Sequence, residues 1–208
     1  MIQLVNKTAP YINLWLNAAE RDPSADPAFI QMLQDLERTP DLTRTLLLAK
    51  EFLANSNLRL LGLTALLLGT FDDAKAQGVL DVVLKHAEPK IRVVGLEAAQ
   101  LGGTTWGLKR CLSGLADKDQ MVRVRAQELC KLWDKERIRV LFDELLQRGD
   151  TTSMTEAAEG LSRLADVTFL PLIERAMAQV DLTLKRKLVR GLIRIASPEM
   201  LDWTKGLK

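Results

Sequence analysis

The chain has 208 residues, of which 47% are apolar and 27% charged, enough length and apolar content to bury a sizeable core. Lysine and arginine number 29 against 27 aspartates and glutamates, a balance that gives no strong pull toward nucleic acid or an anionic membrane. A single histidine and two cysteines leave almost no material for a zinc site or a histidine-based triad, so no metal and no cofactor are expected.

The opening MIQLVNKTAPYINLWLNAAERD has neither a basic first region nor a continuous apolar stretch followed by small residues, so it does not read as a secretory signal. Residues near 8 to 20 read instead as a leading amphipathic helix, with Trp15 in its apolar pattern. DPAFIQMLQDLERTPD and LTRTLLLAKEFLANS follow as a first helical pair. The most apolar run, Leu58 to Phe71, covers only 14 residues and contains Arg59, too short to span a bilayer. A soluble cytoplasmic protein with no membrane contact is the expectation.

From Leu58 onward the sequence repeats. LRLLGLTALLLG, IRVVGLEAAQLG and VRVRAQELCKLW, starting at Leu58, Ile91 and Val122, align without gaps, and weaker copies begin at Met154 and Lys185. The polar residues just upstream, Asn55, Glu88, Asp119, Asp150 and Asp181, keep nearly the same period, 33 and then 31 residues. Short polar side chains there can accept hydrogen bonds from the first free amides of a helix. Pro89 suits a first helical turn after the poorer cap Glu88. Small residues at Gly62, Gly95, Ala126 and Gly160 recur near one slot, where they let helices approach closely. Glycine in a helix costs roughly 0.5 to 1 kcal/mol relative to alanine, so packing must compensate.

Between these copies lies a second helical pattern, beginning near Asp72, Thr104, Asp134, Asp166 and Ser197. Ile138, Leu141, Phe142 and Leu145 show its three and four spacing. The repeat unit is therefore helix, turn, helix, with no convincing strand. Within VRVR of the third copy, Val122, Ala126, Leu129 and Trp133 form a helical stripe, so the strand-like alternation is local. Arg123 matches Arg59 and Arg92 and reads as a recurrent exposed position. Cys111 and Cys130 fall in apolar helical patterns and read as buried residues. His86 suits a helix end, LGGTTWG a helix-ending turn, and Asp72-Asp73 and Asp143-Glu144 solvated surface.

Asp117 to Trp133, DKDQMVRVRAQELCKLW, resembles the HEAT-like repeat of bilin-lyase-type and scaffold proteins, in which an aspartate precedes a valine-arginine pair and a helix rich in small residues. The resemblance covers residues 27–208 and implies an all-α, right-handed α-solenoid of about six antiparallel helical pairs, with 1–26 as an N-terminal helix or cap of one repeat domain. It implies inter-repeat roles for Asp119, Arg125, Asp181 and Lys187. Val94, Leu61 and Glu156 stand where the second arginine would be, so the ladder of acid-to-base pairs is partial.

No convergent catalytic set stands out, and a non-catalytic scaffold or adaptor that binds another protein is expected. The second helices would line a concave face presenting Lys85, Trp106, Lys109, Arg110, Arg137 and Asp143. Two other readings compete. A nucleic-acid-binding solenoid of the DNA-glycosylase kind would use the same basic and aromatic side chains, helped by the +5 net charge of residues 90–208 against −3 for 1–89. A lyase or chaperone subunit of the bilin-lyase type would handle a tetrapyrrole-bearing protein. The basic run Leu184 to Arg194 fits an amphipathic helix with Leu188, Leu192 and Ile195 inward.

Overall fold

A computed structural model describes Gln31, Asp35, Arg38 and residues 41–54 and 58–193. The leading helix with Trp15, most of the 27–40 segment, Asn55, Ile195 and the terminal segment from Ser197 with Trp203 lie outside the described residues. Those that are described form ten α-helices and one 3-10 turn, with no strand among them. The helices are α1 (Leu42–Ala54), α2 (Leu58–Leu68), α3 (Ala74–Val83), α4 (Pro89–Leu101), α5 (Thr105–Gly114), α6 (Gln120–Cys130), α7 (Lys135–Arg148), α8 (Thr151–Leu164), α9 (Leu170–Gln179) and α10 (Leu182–Ile193).

Local chemistry sets most helix starts. Asp119 accepts from the Met121 amide at 2.8 Å, Asp150 from Ser153 at 2.9 Å and Asp181 from Leu184 at 2.9 Å. Glu88 makes no side-chain cap bond, and Pro89 opens α4 in its place. In the second helices Thr104 and Asp134 cap as expected, but α3 is capped by Asp73 rather than Asp72. Asp166 caps the 3-10 turn Val167–Phe169 that leads into α9. Gly103 and Gly149 turn the chain at φ of 62° and 68°, a region that glycine enters without a Cβ clash.

The first helices pack in succession, α2 on α4, α4 on α6, α6 on α8 and α8 on α10, and the α6-to-α8 contact is the sparsest. The second helices α3, α5, α7 and α9 each lie against first helices. Two apolar clusters result and meet at α4: Ile91, Val94, Ala98 and Leu101 join the cluster that begins at Leu48, whereas Leu96 joins the one that runs to Leu188. Burying one leucine contributes about 2 kcal/mol. Two of the small residues in the recurrent slot lie under second-helix side chains, since a Cβ on Gly95 would sit 3.0 Å from Leu84 and one on Gly160 would sit 2.7 Å from the Phe142 ring. Ala126 is fully buried beneath Gly114 of α5. Cys111 and Cys130 are buried as expected; burial raises both thiol pKa values, that of Cys111 to about 12.

Arg92 is a correction to the sequence reading. It is 4% exposed, whereas Arg59 is exposed and Arg123 intermediate. The recurrent role is a latch: Arg92 Nη1 donates to the carbonyls of His86 and Ala87, and Arg123 Nη1 to those of Asp117 and Lys118, five and six residues back in each case. Each arginine thus ties its helix to the turn before it. Arg92 also forms a two-pronged pair with Asp117, Nε to Oδ2 and Nη2 to Oδ1, both 2.8 Å. Burial pushes the Asp117 carboxyl up, but the Arg92 hydrogen bond and the Asp119 amide outweigh this and hold it below the usual range. His86 lies in the turn between α3 and α4, where its Nδ1 accepts the Glu88 amide at 3.0 Å rather than donating to the last carbonyls of α3.

Candidate interaction surface

Trp106, Lys109 and Arg110 lie on α5, and Lys85 lies in the turn just after the neighbouring α3. On α5, Trp106, Arg110 and Ser113 are spaced by four and three and share a face. The Arg110 guanidinium lies 5.6 Å from the centre of the Trp106 ring, within cation–π reach. It also reaches across to α3, where Nη2 donates to Asp81 at 3.0 Å and Nε lies 2.7 Å from the other carboxylate oxygen. Asp81, Leu84 and Lys85, facing Arg110 and Ser113, line a cleft of about 180 Å³ that the Arg92–Asp117 pair closes on one side. Arg110 and Arg92 already have carboxylates. Lys85 and Lys109 are exposed and form no ion pair with a described residue, so theirs are the charges free for a ligand.

Arg137 repeats the stacking one unit later. It lies 5.0 Å from the centre of the Trp133 ring and donates to the Gly103 carbonyl at 2.9 Å, in the turn that precedes α5. Trp133 itself is buried. Asp143 lies away from this group and pairs with Arg175 of α9. The structure therefore brings Lys85 and Arg110 to one cleft, stacks Trp106 on Arg110 beside it, leaves Lys109 exposed on the same helix, links Arg137 to α5 through Gly103 and pairs Asp143 with Arg175 instead.

The inter-repeat residues divide into two roles. Asp119 and Asp181 cap their own helices. Arg125 bridges to Glu97 of α4, Nη2 to Oε1 at 2.8 Å, and also pairs with Glu128 on its own helix. Lys187 bridges to Glu159 of α8. Burial raises the Glu97 carboxyl, and Arg125 only partly offsets it. The glutamate partners, Asp81 and the exposed apolar residues Val82 and Val140 were not singled out from sequence. A pairing signal was present: both first-helix bridges join residues 28 apart. Comparison of the chain with family models, curated proteins and solved structures finds no match.

Proposed function

We propose that this protein is a non-catalytic scaffold that binds another protein through its second helices, and that the helical pairs form a right-handed solenoid of HEAT-like repeats with that face on the inside of the curve. The succession of first-helix contacts and the recurrence of the arginine latch support the repeat reading. One observation carries the binding reading: the cleft that Asp81, Lys85 and Arg110 line lies beside the stacked Trp106–Arg110 pair, and exposed Val82 and Lys109 sit on the same two helices, α3 and α5. Rigid aromatic and guanidinium groups beside exposed apolar carbons are the chemistry of protein interfaces. Asp81 neutralises Arg110 there, which weakens the attraction of this surface for a polyanion.

Affinity capture from the native lysate tests the reading, with the wild type compared with a Lys85→Glu, Lys109→Glu variant. The expected result is at least one protein enriched on the wild type and lost on the variant, with no salt-dependent binding of duplex DNA. The same proteins on both baits, or DNA binding that falls steeply with salt, would overturn it.

A further inference from the structure

We infer that the cleft between α3 and α5 holds a glutamate side chain of the partner protein, with its carboxylate between Lys85 and Arg110. This occupant rests on the protein-binding reading above and names the residue type that meets the surface. Charge carries it. Three bases line the cleft, Lys85, Arg92 and Arg110, against two acids, Asp81 and Asp117. Arg92 is taken by Asp117, and Asp81 faces the Nε–Nη2 edge of Arg110. One positive charge is left over, and Lys85 carries it, since it forms no ion pair with a described residue. Arg110 also keeps donors in reserve: a guanidinium donates from every nitrogen, and no described residue accepts from its Nη1. The Trp106 ring, 5.6 Å from the guanidinium, and Asp81 together hold the plane of that group. The Lys85 amide bonds to the Val82 carbonyl at 3.1 Å, which fixes the turn that carries the ammonium. A single carboxylate between these two cations completes the charge balance.

Size and lining select a side chain. The cleft holds about 180 Å³, below the roughly 300 to 1,000 Å³ usual for a small-molecule or cofactor site. Leu84, Leu96 and Val122 line it as well, so an anion on an aliphatic stem fits better than one without carbon. A phosphate dianion would set a second negative charge near Asp81 and Asp117. The next cleft along the stack has the opposite character. Between α5, α7 and α8, about 50 Å³ lie among leucines, and two acids, Glu156 and Glu159, stand there against one base, Arg163. An acidic side chain is repelled there and attracted between α3 and α5. Described helices bound the α3–α5 cleft on both sides: α1 packs on α3, and Arg137 of α7 bonds to the turn before α5. The site therefore lies inside the stack and not at its end.

The test uses the full chain and labelled peptide pools, amidated at the C terminus and randomised around one fixed central residue, Glu, Gln or Lys. Fluorescence anisotropy is expected to show the Glu pool bound about tenfold more tightly than the Gln pool, with the Lys pool weakest. Lys85→Gln is expected to remove that preference. Asp81→Asn, which returns the Nε–Nη2 edge of Arg110 to a ligand, is expected to enlarge it, a gain that loss of fold does not produce. Lys90→Gln, on a first helix, is expected to leave it unchanged. Pools bound alike whatever their central residue, or a Glu preference indifferent to either Lys85→Gln or Asp81→Asn, would overturn the inference while leaving a protein-binding face in place. So would a Gln pool with a free C-terminal carboxylate bound as tightly as the Glu pool, or displacement of the Glu pool by equimolar inorganic phosphate, since the occupant would then be a chain terminus or a small anion. Binding of no pool would overturn it too, and the lysate capture then decides separately whether the protein-binding reading stands.

Discussion

The stack changes character along its length. In α2 every residue from Leu60 to Leu68 is buried, and leucine, isoleucine, valine and alanine side chains of α2 and α4 share one apolar cluster. From α6 onward the first helices have an exposed side with charges on it, and two of the three steps beyond α4 carry an acid–base bridge. The difference explains why the internal copies look unequal. Where a helix is covered all round, charge at the bridge position would be desolvated at a cost of several kcal/mol, so Leu61 and Val94 stand there. Where one side meets solvent, charge is tolerated and a bridge adds a little. The step from α6 to α8 is the exception, because Glu156 occupies the position of Arg125 and Lys187. It is also the sparsest contact in the stack.

The largest effect is expected at the buried arginine where the two regions meet. Arg92→Ala would leave the Asp117 carboxylate without its two-pronged partner and the carbonyls of His86 and Ala87 without a donor. Urea denaturation is expected to show a loss of about 3 kcal/mol. A loss under about 1 kcal/mol would mean that water replaces the guanidinium.

Next in size is a matched pair on the two sides of the contrast. Leu63 and Gln127 hold the same register position, one 1% exposed and the other intermediate. Leu63→Ala is expected to cost about 3 kcal/mol, whereas Gln127→Ala stays within about 0.5 kcal/mol of the wild type. Equal losses would contradict the division into a sealed and an open region.

Acid should act mainly on the capped and latched turns. Asp117 and Asp166 are pushed up by burial and pulled below the usual carboxylate range more strongly by their hydrogen bonds, and Asp150 is lowered chiefly by the Ser153 amide. A depressed carboxyl contributes stability above its unfolded pKa of about 3.9, and that contribution disappears as pH falls through the folded value. The urea midpoint is therefore expected to fall as pH drops below about 4. The fall should be smaller in Arg92→Ala, which has already lost the Asp117 contribution. An identical acid profile in the two proteins would place the sensitivity elsewhere.

The smallest effect is also the most specific. Glu156→Arg would supply the missing base opposite Glu128 and is expected to stabilise the chain by about 0.5 kcal/mol at low salt, with the gain fading in high salt. A loss instead of a gain would show that the α6-to-α8 step does not share the register of its neighbours.

Much of this was legible in the sequence. Period, caps and helical stripes foretold the helical pairs, and Asp119, Asp150, Asp181, Thr104 and Asp134 cap where the spacing placed them. Three things were not legible, each for a physical reason. Arg92 reads like Arg59 and Arg123, and only the tertiary placement of Asp117 makes burial of one of them favourable. The partners of Arg125 and Lys187 are glutamates on the preceding first helix, and spacing within one repeat cannot reveal a contact between repeats. Asp143 belongs to a helix of the expected kind, yet Arg175 of α9 takes it away from the cleft.

Lysine acetylation of the chain, alone and in complex with a captured protein, tests the central claim most directly. Lys85 lines the cleft and Lys109 lies exposed on α5, whereas Lys90 and Lys131 lie exposed on or just after first helices. The expected result is protection of Lys85 and Lys109 in the complex, with Lys90 and Lys131 as reactive as in the free chain. Protection confined to Lys90 and Lys131 would contradict a second-helix binding face.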